Sequence, residues 1–271
     1  MASPGNIPLH PALRFFSAGV IIVLIVGAGL FVAPGLVKAR WPWAVTPFNA
    51  RFLGGFYIAE MAVMATLLFW NRWAPGRLVL WMAFVFTLVA SIASFLNLDY
   101  FDLGRKSPWI WFAVYLISVA ISGLFLVAAR GRPAAPAMPM DSGLQAWMRI
   151  EGLLLGLYGL ALLLLPLIAS SFWPWPIDRF HAQVYSAVFL SGAAGVVLLS
   201  RGAPREEMMV LGLAETAVGV LSILGLILTD LAVHRVTWSA PGTIAWVVIF
   251  LVLAASGTQK LLAANDPRAL A

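Results

Sequence analysis

Long apolar runs broken by short polar segments dominate the chain. A helix needs about 20 apolar residues to cross a hydrocarbon core ~30 Å thick. Eight runs reach that length: 15–36, 48–70, 77–97, 108–129, 147–170, 181–200, 207–230 and 240–262. Backbone amides in lipid need partners within their own segment, so each run is predicted to be helical. The expected fold is all-α: a polytopic membrane protein with eight transmembrane helices. The first run resembles a signal peptide in position, but its counterpart at 147–170 is internal, so it is read as a mature span.

The apolar pattern occurs twice. Pro34 matches Pro166, a step of 132 residues (166 − 34), and the same step carries Trp41-Pro42-Trp43 onto Trp173-Pro174-Trp175, Phe48 onto Phe180 and Ala50 onto Ala182. The organisation that follows is an irregular lead-in at 1–14, a first four-helix repeat at 15–130, a Pro/Ala-rich linker at 131–146, a second repeat at 147–262 and a tail at 263–271. Four spans per repeat is an even number. Both halves are therefore expected in the same orientation, related by a pseudo-two-fold along the membrane normal.

Composition agrees with the pattern and removes several functions. The chain is 62% hydrophobic and only 10% charged, where a soluble domain carries roughly a quarter charged residues. The net charge of +6 is dispersed through short loops, so it reads as a topology signal and not as nucleic-acid affinity. Counting Lys and Arg near the loops gives ten on the side holding both termini (side A) against seven on the other (side B), which favours cytoplasmic termini. With no cysteine, disulfides, thiolate metal sites and iron–sulfur clusters are excluded. No phosphate-cradling glycine loop, nucleophile elbow or zinc-protease helix occurs. No cofactor is implied.

Three carboxylates fall inside spans: Glu60, Glu151 and Glu215. A charge at the bilayer centre costs about 2.5–3.5 kcal/mol on insertion scales. Tyr57, one turn before Glu60, is expected to hydrogen-bond to it. Glu215 shares a face with Gly212, Gly219 and Ser222, small residues that let another helix approach, so it is expected to point inward. Glu151 lies beside Arg149 and is expected to pair with it or snorkel. Two roles are open, a protonatable coupling site at Glu60 and Glu215 or interhelical hydrogen bonding. The apparent lack of a mid-span Lys or Arg partner favours the second. Trp41, Trp43, Trp173 and Trp175 read as interfacial anchors. On side B, Asp178 with His181 (i, i+3) and Asp230 with His234 (i, i+4) are candidate metal ligands. They occupy separate loops, which favours solvated polar residues over a metal site.

In each half a span ends near a proline, an aromatic loop follows, and the next span opens with a small-residue step such as Arg51-Phe-Leu-Gly-Gly55. This pattern resembles the four-helix DoxX-like bacterial membrane proteins, duplicated in tandem, and the resemblance implies a four-helix bundle per half and no catalytic residue. The reading that results is a non-enzymatic, multi-pass structural or accessory component of a bacterial cell membrane. It would contact the lipid bilayer and a membrane-protein partner or second copy, and hold lipid or a small apolar ligand. The alternatives are a proton-coupled small-molecule carrier using Glu60 and Glu215, and a membrane enzyme at the side-B Asp and His residues.

Overall fold

The computed structural model describes residues 7–130 and 135–266. Among the described residues it contains helices and turns, one isolated backbone bridge between Pro8 and Arg72, and no strand. Eight helices are long and apolar enough to cross a membrane: α1 (Pro11–Val32), α2 (Pro47–Trp70), α3 (Trp73–Phe95), α4 (Lys106–Ala128), α5 (Ser142–Leu164), α6 (Arg179–Leu199), α7 (Arg205–Val233) and α8 (Pro241–Ala264). Several boundaries differ from the sequence reading by two to six residues, and two of the differences have a visible cap. Helix α1 begins four residues earlier than expected, with Pro11 at its first position and the His10 ring accepting from Ala12 N–H. Helix α5 begins inside the expected linker, because Asp141 accepts from Gly143 and Leu144 N–H as an N-cap. Linker residues 131–134 and tail residues 267–271 lie outside the described residues.

The two prolines act alike. A proline disfavours helical backbone at the residue before it and removes a helix donor. Ala33 (φ −136°, ψ 60°) and Leu165 (φ −127°, ψ 52°) accordingly leave the helix in nearly the same conformation, and one further turn follows each at Pro34–Val37 and Pro166–Ala169. The carbonyls exposed at these breaks find side-chain donors. Arg51 Nη1 donates to Phe31 O at 2.6 Å, and Gln183 Nε2 donates to Leu163 O at 3.0 Å. Donor and acceptor positions both differ by 132 residues (183 − 51 and 163 − 31).

Helices α2, α3, α6 and α7 form the centre. Helix α2 packs along α7 and α3 along α6, whereas α2 with α3 and α6 with α7 touch only slightly. The outer helices flank this centre, α1 on α2, α4 on α3, α5 on α6 and α8 on α7. The separate four-helix bundle per half implied by the DoxX-like resemblance is therefore corrected: the main central contacts run between halves. The cause is visible at small residues. A Cβ on Gly55 of α2 would lie 3.2 Å from Leu221 Cβ of α7, and Gly195 of α6 sits against Met82 of α3. The cross-half contacts thus bury faces that either half alone would leave open.

Candidate functional site

Contacts at the helix ends sort the termini onto two faces. On side A, Arg77 makes a bidentate pair with Glu207 (2.8 and 2.6 Å), Arg72 pairs with Glu206 (3.0 Å), and Arg205 donates to Ala264 O. On side B lie the loops carrying the Trp-Pro-Trp triplets. The structure places these tryptophans differently from the anchor expectation. Trp41, Trp43, Trp173 and Trp175 are all buried, in one aromatic cluster with Phe48, Phe52, Trp111, Phe180, Tyr185 and Trp246. An indole N–H in such a place needs an acceptor. Trp43 Nε1 donates to His181 Nε2 at 3.1 Å, and Trp175 Nε1 donates to Asn49 Oδ1 at 2.8 Å. The exchange is reciprocal: each triplet's second tryptophan reaches the polar residue six positions after the other triplet's second tryptophan.

This geometry accounts for the side-B candidates. Asp178 is the N-cap of α6, accepting from His181 N–H at 2.9 Å and from His181 Nδ1 at 2.7 Å. Partial burial works against the Asp178 charge, but the hydrogen bonds from the His181 ring and from the His181 and Phe180 backbone outweigh it and hold the carboxyl below the usual aspartate range. Because Trp43 donates to Nε2, the imidazole is neutral with its proton on Nδ1, and neither ring nitrogen is left for a metal. Asp230 accepts from Arg235 N–H, Val236 N–H and Trp238 Nε1–H. It closes the turn at the end of α7, where His234 adopts φ 49°. Among the described residues no group of three or more His, Asp or Glu side chains comes together to hold a metal. Asp178 and His234 are helix caps, Asp230 closes the turn after α7, and the His181 ring is held between Asp178 and Trp43.

The three carboxylates within the apolar helices take up different environments. Lys260 of α8 is fully buried and donates to Glu151 Oε2 of α5 (2.6 Å), Glu215 Oε2 of α7 (2.5 Å) and Ser256 Oγ (2.8 Å). Trp147 Nε1 also donates to Ser256 Oγ, at 2.8 Å. Glu151 and Glu215 are 5% and 4% exposed, so one ammonium serves two carboxylates away from solvent. Sequence reasoning missed this in two ways. It counted Lys260 with the side-A loop, whereas α8 runs on to Ala264 and draws it inside. It also paired Glu151 with Arg149, but Arg149 faces outward while Glu151 faces the bundle. The usable signal was the spacing of Ser256 and Lys260, one turn apart on the face bearing Gly257. Gly219 and Gly257 bring α7 and α8 together: a Cβ on Gly219 would lie 2.5 Å from Phe250 O, and one on Gly257 2.5 Å from Thr216 N.

Glu60 makes no hydrogen bond or ion pair among the described residues. Tyr57 does not serve it, since Tyr57 Oη instead bonds Tyr115 Oη of α4 at 3.0 Å. Half-buried Glu60 lines a cavity of about 390 Å³ enclosed by α1, α2, α3 and α4, with Ser17, Tyr57, Thr87, Tyr115 and Ser118 as other polar members. The cavity reaches from Leu13 and Phe16 near side A to Arg40 and Ser107 near side B. Ser122 adds a further hydroxyl, the rest of the wall is mostly apolar, and α1 and α4 are barely in contact with each other. Between α5 and α8, the corresponding helices of the second half, the Trp147–Ser256 and Lys260–Glu151 bonds make the link instead. A second cavity of about 80 Å³ lies among α2, α3, α5, α6, α7 and α8, and both Glu60 and Glu215 line it.

Comparison with protein-family models, with curated proteins and with solved structures finds no match to this chain. The DoxX-like resemblance thus has only the residue pattern behind it. The class that fold and composition define is an all-helical protein with eight helices suited to a membrane.

Proposed function

We propose that this protein is a multi-pass membrane component, with cytoplasmic termini, that holds a lipid or small apolar ligand in the crevice between α1 and α4. The observation that carries this reading is the cavity of about 390 Å³. Its size falls within the range of small-molecule sites, and a mostly apolar wall with a few convergent polar groups is the usual character of such sites. The Glu60 carboxyl and the Tyr57–Tyr115 hydroxyl pair supply a polar band midway, so the preferred ligand combines an apolar body with a group able to donate a hydrogen bond. Entry from the lipid suits a crevice whose two outer helices do not seal it. The reading makes no use of chemistry on the ligand.

The same organisation supports a tandem duplication. The matched proline breaks, the Arg51 and Gln183 bonds to equivalent carbonyls, the reciprocal tryptophan bonds, and the pairing of α2 with α7 as α6 with α3 all fit a pseudo-two-fold along the membrane normal. In that view one half has kept an open crevice and the other has closed its equivalent with charge. A photoreactive side chain in place of Val23, on the α1 wall, tests the binding reading. Crosslinking to a lipid or small molecule is expected there and not from the equivalent position Leu155. Equal labelling at both positions would reject a site specific to the first half.

A further inference from the structure

We propose that the Glu151–Lys260–Glu215 cluster is a buried proton-binding site and that Glu60 connects it, through the central cavity, to the crevice. Charge counting is the first argument. Two carboxylates face one ammonium, and Glu151 Oε1 and Glu215 Oε1 have no hydrogen-bond partner. A fully ionised cluster would leave an uncompensated negative charge in a dry interior, which is the costly arrangement. One proton on a carboxyl oxygen makes the cluster neutral. Glu215 is the member that carries it, because Glu215 lines the central cavity and Glu151 does not.

Other charged groups do not supply the missing positive charge. On α7 itself, Glu207 is already matched by Arg77 of α3. On α2, Arg51 is committed to Phe31 O, and Glu60 is the acidic group facing the same cavity. On α8 the cation is Lys260, and on α5 Arg149 faces outward. Helix α6 has Arg179 and His181 in its first turn on side B, and beyond them its one titratable side chain is Tyr185, a neutral phenol that donates to Asn49 O.

The route follows from the two cavities. Glu60 lines both, so it is the residue shared by the crevice and the central space. A volume of about 80 Å³ holds several waters when each needs ~10–15 Å³. Protonated Glu60 passes its O–H proton to a water there, and that water passes one to the Glu215 carboxylate. Glu60 becomes a carboxylate and is reprotonated from the crevice. The Ser191 hydroxyl, which donates to Met82 O, remains an acceptor on the wall of this space.

The test is infrared spectroscopy of the protein reconstituted in phosphatidylcholine vesicles at neutral pH, followed by transfer to D₂O. A protonated-carboxyl carbonyl band that is absent in Glu215→Gln is expected. In Glu60→Gln that band should persist, with its deuterium exchange slowed by about 100-fold, the lower end of what a positioned proton-transfer group contributes. A band unaffected by Glu215→Gln, or no such band, would overturn the proton site. Unchanged exchange in Glu60→Gln would overturn the route. Should Glu215→Gln fail to fold, Glu151→Gln is the second variant: it removes the excess negative charge, so the Glu215 band should disappear through ionisation, and its persistence would overturn the charge argument. The readout needs no ligand, so failure of the crevice reading leaves it intact.

Discussion

Replacing Lys260 with Met removes a buried ammonium of similar reach while keeping an apolar body. The structure gives three losses at once: the bonds to Glu151 (2.6 Å), Glu215 (2.5 Å) and Ser256 (2.8 Å). An ordinary interhelical hydrogen bond in a membrane protein is worth only about 0.6 kcal/mol. Breaking a buried ion pair by removing one partner costs about 3–5 kcal/mol, because the remaining charge is stranded. Here the Glu151 carboxylate is stranded and Glu215 loses its donor as well, so the expected loss lies near the upper end, about 5 kcal/mol, or more than three decades in the folding constant at ~1.4 kcal/mol per decade. Steric-trapping measurement of unfolding in lipid discs reads this directly. The triple variant Lys260→Met, Glu151→Gln, Glu215→Gln should recover most of the loss, since replacing a whole buried ion cluster with neutral groups is nearly neutral. A loss below about 1 kcal/mol for the single variant, the scale of one hydrogen bond, would refute the buried cluster.

Trp43→Phe leaves His181 Nε2 without its donor, and Trp175→Phe does the same to Asn49 Oδ1; each should destabilise by about 1–3 kcal/mol in thermal unfolding, with similar magnitudes if the two sites are equivalent. Asp178→Asn should cost stability at neutral pH, because Asp178 is a depressed-pKa carboxylate. That contribution is present above the ordinary aspartate range and disappears as pH falls through the lowered folded-state value, so variant and wild-type unfolding curves should converge in acid. Gly219→Val places a branched side chain against Phe250 O and Ala254 of α8 and should lower stability by about 1–3 kcal/mol through overpacking, measured in the same unfolding assay.

Most of the helix count was legible because a spanning helix must be apolar for its full length, and that signal survives without an alignment. The pairing of helices was not. Apolarity tells which segments suit a membrane but not which neighbour each one meets; the α2–α7 and α3–α6 contacts depend on small residues such as Gly55 and Gly195, a residue type common throughout the chain. The repeated tryptophans were visible, yet their direction was misread, because an interfacial depth is compatible with facing lipid or facing the core. His181 shows why: its ring supplies an acceptor inside, and Trp43 turns toward it. Lys260 was assigned to the loop because a charge near a span end usually snorkels, and the two glutamates that retain it lie 45 and 109 residues away in sequence. Glu215 was read as an inward-facing acid and Glu60 as a partner of Tyr57; that the two border one cavity required the packing of six helices.

The central claim is a ligand in the first-half crevice. Native mass spectrometry of the protein released from lipid discs tests it most directly, comparing wild type with Ala83→Trp, which fills the α3 wall of the cavity. The account predicts a discrete added mass, a lipid or small apolar molecule, on the wild type and its loss in the variant. A wild-type protein that carries no bound molecule, or a variant that retains the same one, would contradict it.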